Sequence, residues 1–305
     1  MNIKALTIAL FTVMIWGASF PAIRVILHGG YSPGHLILTR YLIASALFAI
    51  YALWPGVKFR LPQKGDILKI VILGFVGISI YHIGVAFGEK TVNAGVAAML
   101  ISSTPIFTAL IALFVLKERL GLFGWIGLGL GFLGIGIIAL ETAGSSFHIS
   151  SGVFLLLIAA LGTSVMFAFQ KPLLRRYSSI ELTAYFTWVG TIPFFIYFPG
   201  YFQELQHASL DAHLSAIYLG IFPTAIGYVT WTIALSLGKS GSVMSMIYFE
   251  PVFAILIAWI WINEQPSVIS IIGGAVAIAG VIVVNTLGSK KHTPAIEPVS
   301  VQPPL

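Results

Sequence analysis

Glu250 is the side chain whose setting most restricts its chemistry. It precedes Pro251 and stands about nine residues from either end of an apolar run, 241–262. A charged group at bilayer mid-depth costs roughly 2.5–3.5 kcal/mol on insertion scales. Such a carboxyl must face a cavity, meet a partner or hold a proton. It therefore suits proton coupling or binding of a substrate amine. The structural alternative is a neutral carboxyl bonded to backbone groups freed by Pro251. His82, beside Tyr81 in the run 67–88, is either a group titrating near neutral pH or a hydrogen-bonding strut. Arg24 and Arg40 lie in the outer parts of the first two runs. Their choices are snorkelling to the interface, bidentate capture of a carboxylate, or a gate ion pair. Lys171, at the inner end of the sixth run, suits the same gate or anchor role at the opposite mouth.

Around these groups a pocket would draw on Trp16, Ser19, Ser102, Ser103, Thr104, Gln170, Tyr228, Trp231, Met246 and Tyr248. Small-molecule sites are mostly apolar with a few placed polar groups. The same residue types also pack helices and form interfacial belts. Gly129-Leu130-Gly131-Phe132-Leu133-Gly134 spells G-x-G-x-x-G, but a dinucleotide fingerprint requires a preceding strand and a loop opening a helix. Inside an apolar run, with Gly124, Gly127 and Gly136, the stretch is a close-packing surface, continued by Gly273, Ala277 and Gly280. These faces would join the halves or support a homodimer. No Walker motif, metal-ligand spacing or cysteine is present, so no cofactor or metal is expected.

The elements that must position these residues follow from composition. Of 305 residues, 58% are apolar and 9% charged, and mean hydropathy is +0.99. Soluble domains carry about 25% charged residues. A soluble enzyme and a disordered chain are excluded. Ten apolar runs are long enough to span a bilayer: 5–27, 34–54, 67–88, 93–116, 120–140, 152–171, 180–199, 214–236, 241–262 and 267–287. The first is long for a signal peptide and no soluble domain follows it, so it reads as a retained helix. With the N-terminus in the cytoplasm, thirteen Lys/Arg fall on cytoplasmic segments, Lys90 alone on the other face, and Arg24 and Arg40 within spans. That bias follows the positive-inside rule. The net charge of +6 is thus a topology signal, not a nucleic-acid footprint. The tail 288–305 reads as a mobile cytoplasmic end.

A shift of 146 residues aligns the halves: Gly74 with Gly220, Gly95 with Gly241, Pro105 with Pro251, Glu118 with Glu264, Gly127 with Gly273 and Gly134 with Gly280. Residues 95–140 and 241–286 share 11 identities in 46 ungapped positions. Five spans per half is an odd number, so the second half enters the membrane from the opposite side. Such inverted repeats supply alternating access. Pro105 and Pro251 are the candidate hinges.

WGASFPAIR at 16–24, GEKTVNAGVAAMLISSTPIFTALIALFVLKERL at 88–120 and GYVTWTIALSLGKSGSVMSMIYFEPVFAILIAWIWINEQ at 227–265 resemble the drug/metabolite transporter superfamily, specifically its EamA-type ten-helix exporters. The resemblance runs to about Leu287. It implies a bacterial inner-membrane exporter of amino acids, related metabolites or drugs, with a central cavity lined by helices one, three, four, six, eight and nine. One departure is Asn263-Glu264 where the first half has Lys117-Glu118. Together these readings predict an all-α membrane protein of ten transmembrane helices in two inverted five-helix repeats, 1–141 and 150–287, with both termini cytoplasmic. The expected function is secondary transport of a small-molecule substrate by a monomer or homodimer in the lipid bilayer. A multidrug exporter shares the fold. An intramembrane lipid enzyme would need a second acid or a metal cluster beside His82 and Glu250, which the sequence does not supply.

Overall fold

The computed structural model describes residues 3–115, 121–143, 150–237 and 245–287, which contain helix and turn and no strand. Every apolar run contains helix. These are α1 (Ile3–His28), α2 (Pro33–Leu53), α3 (Lys64–Gly88) and α4 (Ala94–Ile111), α5 (Leu122–Ala143), α6 (Ser151–Phe169) and α7 (Ser179–Thr191). They continue with α8 (Leu210–Trp231) and α9 (Met246–Ile262), and α10 (Val268–Leu287). Among the described residues, seven helices are long and apolar enough to cross a bilayer: α1–α6 and α8. α9 and the Val268–Val284 part of α10 are shorter apolar helices. α7 passes into a 3₁₀ turn, Ile192–Tyr197, with Pro193 in its first turn. The described residues are all-helical, and their long apolar helices have the dimensions of membrane spans.

Local chemistry sets the helix starts. Ser32 accepts from the His35 amide ahead of Pro33, Asn93 from Val96 and Ser209 from Ala212. Ser178 and Glu181 form a reciprocal capping box on α7. Each such cap satisfies an amide that has no intrahelical acceptor, worth about 1 kcal/mol.

Two helices are broken at positions related by the 146-residue shift. α4 turns at Ser102 and Ser103, and helix resumes at Thr104 with Pro105 in its first turn. α9 begins as a 3₁₀ turn, Ser245–Phe249, and becomes α-helical at Glu250 with Pro251 in its first turn. Proline lacks the amide that would continue the ladder. The Ile101 carbonyl, four residues before Pro105, takes the Thr104 Oγ1 hydroxyl (2.6 Å), while Ser102 Oγ (2.9 Å) and Ser103 Oγ (2.5 Å) join their own backbone amides on Ala98 O and Leu100 O. Ser164 of α6 donates to the Thr104 carbonyl at 2.8 Å.

A second related pair was not expected. α3 contains a π-helical stretch, Phe75–Ile80, and α8 contains another, Gly220–Ile226. The same shift carries 75–80 onto 221–226. Pro223 lies inside the second stretch.

Packing is chiefly between halves: α3 against α6, α1 against α8 and α9, α2 against α8, α4 against α9, and α5 against α10. The α5–α10 contact uses the glycines of the G-x-G-x-x-G stretch. A Cβ on Gly134 would lie 2.4 Å from the Ala277 nitrogen, and one on Gly280 2.4 Å from the Gly131 nitrogen. Only hydrogen fits there. Gly129 and Gly136 have nothing within 4 Å of such a Cβ. Gly134→Leu or Gly280→Leu should therefore lower thermal stability in detergent by at least about 1–3 kcal/mol, the usual cost of overpacking. Gly129→Ala should be neutral or raise stability by up to about 1 kcal/mol. Equal melting of all three variants would contradict this packing.

Candidate functional site

Three helices bring most of the expected aromatic residues together. Trp16 of α1 sits edge-on to Tyr228 at 5.6 Å and beside Trp231 at 5.2 Å, both on α8. Its indole Nε1 donates to the Pro223 carbonyl at 3.0 Å, inside the π stretch. Gly17 lets α1 approach α9 at the break, since a Cβ there would lie 2.9 Å from the Glu250 carbonyl. Glu250 is buried and has no ion pair among the described residues.

Tyr81 and His82 follow the other π stretch. His82 is buried, with its ring centroid 4.6 Å from Tyr81 and 4.7 Å from Tyr41. Its Nε2 and the Tyr41 hydroxyl have no hydrogen-bond partner among the described residues.

Arg40 does not snorkel. It is 5% exposed, and its Nε donates to Thr224 Oγ1 at 2.7 Å, while Thr224 Oγ1 donates to Leu219 O at 2.8 Å. The π stretch of α8 supplies that threonine. Among the described residues Arg40 has no carboxylate partner. Tyr81 lies within electrostatic reach of Glu250, Tyr228, Arg40 and Glu89. Tyr228 lies within reach of Arg40 and Glu250.

The other expected pocket residues do more local work. Ser19 Oγ donates to Ile15 O at 3.3 Å. Ser102 and Ser103 serve the α4 break, as described above. Gln170 ends α6, its amide on the Met166 carbonyl. Tyr248 lies in the 3₁₀ turn before Glu250 and packs against the main core. Lys171 opens a short helix, Lys171–Leu174, but its side chain lies outside the described residues, as does Glu118. Among the described residues no cluster of His, Asp and Glu could hold a metal.

Sequence reasoning missed several acids beside the loops. Arg24 pairs with Glu264: Nη2 lies 3.0 Å and Nε 3.1 Å from Oε1. Glu264 Oε2 accepts from the Ala94 amide at 2.9 Å. Arg24 Nη1 donates to the backbone carbonyl of Glu89 at 2.6 Å. One guanidinium thereby ties α1 to the end of α3 and to the α9–α10 turn. Glu89 itself is 0% exposed, and neither carboxyl oxygen has a partner among the described residues. Burial pushes this carboxyl well above the usual carboxylate range, Arg24 pulls it back, and the Glu264 charge pushes it further up. At the other end of the helices, Asp66 accepts from Arg176 Nη1 at 2.8 and 2.9 Å and from the Tyr177 hydroxyl at 2.9 Å. Glu181 accepts from the Arg60 and Ser178 amides at 2.8 and 2.7 Å. The signal available in the sequence was the Glu118–Glu264 match lying at the two mouths to which Arg24 and Lys171 had been assigned.

Residues 3–140 and 150–286 each match the EamA-like transporter family. The chain is 38% identical over 267 residues to the uncharacterized transporter YdfC of Bacillus subtilis, covering 88% of this chain and 86% of the relative. It is 35% identical over 291 residues to a Streptantibioticus cattleyicolor protein named "Probable terminal-alkyne amino-acid exporter", covering 95% and 96% of the two chains. An uncharacterized transporter of Archaeoglobus fulgidus is 29% identical, with 90% of this chain and 95% of that one covered. A solved crystal structure shares the fold with a TM-score of 0.63 at 20% identity, covering 93% of this chain and 96% of that one.

The Arg24–Glu264 pair is testable by exchange of charge. Arg24→Glu and Glu264→Arg should each lower thermal stability, and the double variant should recover part of the loss, with a coupling of about 0.5–3 kcal/mol. Additive losses in the cycle would show that the two side chains act independently.

Proposed function

The chain belongs to the EamA-like transporter family, and from that premise we propose that it exports amino acids or related small amphipathic metabolites across the cytoplasmic membrane by alternating access. Its family and relatives are transporters rather than enzymes. The observation that carries the reading is that, among the described residues, the buried Arg40 has no carboxylate partner and the buried Glu250 has no ion pair. A zwitterion matches such a site. Its carboxylate goes to the Arg40 guanidinium through charge-assisted hydrogen bonds, and its ammonium goes toward Glu250. Trp16, Tyr228 and Trp231 give its side chain an aromatic wall. A relative named as an amino-acid exporter, matched over nearly the whole of both chains, supports this substrate class.

In this reading ten helices cross the membrane in two inverted sets of five, both termini face the cytoplasm, and Pro105 and Pro251 are the flexing points. The turn in α4 before Pro105 and the change from 3₁₀ to α geometry in α9 before Pro251 support it. Glu250 exchanges a proton for the substrate amine, coupling export to proton entry.

Purified protein in liposomes should catalyse counterflow of labelled zwitterionic amino acids. Glu250→Gln should abolish accumulation driven by a pH gradient while the protein still melts cooperatively. Undiminished gradient-driven transport by that variant would remove Glu250 from coupling. Arg40→Ala should weaken zwitterion transport by about tenfold to a hundredfold, matching the loss of a charged hydrogen bond of about 1.5–3 kcal/mol. Exchange of lipophilic cations without any amino-acid counterflow would favour the multidrug reading.

A further inference from the structure

Glu89 is the buried acid that the function above does not use. Its surroundings are specific. Arg24 reaches it from α1, Glu264 from the α9–α10 turn and Arg40 from α2, all within electrostatic range. Tyr81 reaches it from its own helix, α3. The next residue, Lys90, is exposed. Arg24 spends Nε and Nη2 on the Glu264 carboxylate and Nη1 on the Glu89 backbone carbonyl. The Ala94 amide is also committed to Glu264. Neither oxygen of the Glu89 carboxyl has a hydrogen-bond partner among the described residues, and the residue has no water-exposed surface.

We propose that Glu89 is a proton-binding site that controls the outer closure: it holds a proton while Arg24 is clamped to Glu264 and gives it up when the two separate. The logic is competition. An ionised Glu89 would repel the Glu264 carboxylate and compete for the same guanidinium, so the clamp and the charge on Glu89 oppose each other. When α1 moves from the α9–α10 turn, water reaches the carboxyl and the ionised form is no longer penalised. The closed form therefore binds the proton more tightly than the open form. Closure is favoured at low pH and lost as pH rises through the closed-state value. This concerns the conformational equilibrium and stands whether or not Glu250 couples transport.

The chain has no cysteine, so one introduced thiol reports without background. Val92, between Glu89 and Ala94, is 5% exposed. Val92→Cys protein in lipid nanodiscs would be reacted with a hydrophilic maleimide and its rate divided by that of Lys90→Cys, which cancels ionisation of the thiol. The normalised rate should rise about tenfold as the pH is raised from mildly acidic to alkaline, the direction expected of a buried carboxyl that loses its proton on opening. With Glu89→Gln added it should stay slow and flat. With Glu264→Gln added it should be fast throughout. Glu89→Asp keeps a carboxyl and should keep a pH-dependent rate with a displaced midpoint. A flat parental profile, a Glu89→Gln profile that still rises with pH, or a Glu89→Asp midpoint equal to the parent's would each overturn the proposal. Because no substrate enters the measurement, its failure is separate from failure to find amino-acid transport.

Discussion

Hydrocarbon offers no hydrogen bonds, so every backbone amide or carbonyl placed in it must find a partner within the protein. A helix meets that demand along its own ladder, and a proline defeats it locally. In this chain the demand falls on α4 and α9, which break beside Pro105 and Pro251. At the α4 break the Ile101 carbonyl takes the Thr104 hydroxyl, and Ser164 from α6 binds the Thr104 carbonyl from the other half of the chain. Irregular backbone is therefore possible only where protein covers it. Ser102, Ser103 and Thr104 at the α4 break are accordingly buried.

The same solvent sets the value of each charge. Pairs such as Arg24–Glu264 and Asp66–Arg176 compensate one another near the ends of the helices. Arg40, Glu250 and Glu89 are buried without ion pairs among the described residues. Groups left so exposed to desolvation cost stability, and they persist in proteins where a ligand, a proton or a second conformation completes them. Glu89 lies beside the Arg24–Glu264 pair at the end of α3, whereas Arg40 and Glu250 lie within helices and have no such pair among the described residues.

Much of this organisation was legible from residue order. Hydropathy runs located the helices because lipid demands continuous apolar sequence, and the recurrence of Pro105 at Pro251 located the breaks. Gly127, Gly131 and Gly134 read correctly as packing, since a fingerprint needs a strand that these runs could not supply. Other features were hidden for equally physical reasons. Arg40 looked able to reach the interface because one-dimensional depth cannot show Thr224 beside its Nε. Glu89 follows the last residue of α3, and residue order does not show that α1 and the α9–α10 turn fold over it and exclude water. Ser102 and Ser103 have the composition of a pocket lining, yet their hydroxyls serve their own backbone.

The π-helical stretches of α3 and α8 change how these helices should be compared with others. Each wide turn holds one residue more than a regular helix would at that point. His82 and Tyr228 lie just beyond, so their bearing around the axis depends on that surplus residue. Deleting a single residue from 75–80 or 221–226 would swing everything downstream by about 100°, the angular step of an α-helix. Tyr228 and Trp231 would then face away from Trp16, and the hydropathy trace would hardly alter. A relative that lacks either wide turn should accordingly align with a one-residue gap inside that helix, where a conventional penalty would push it into a loop.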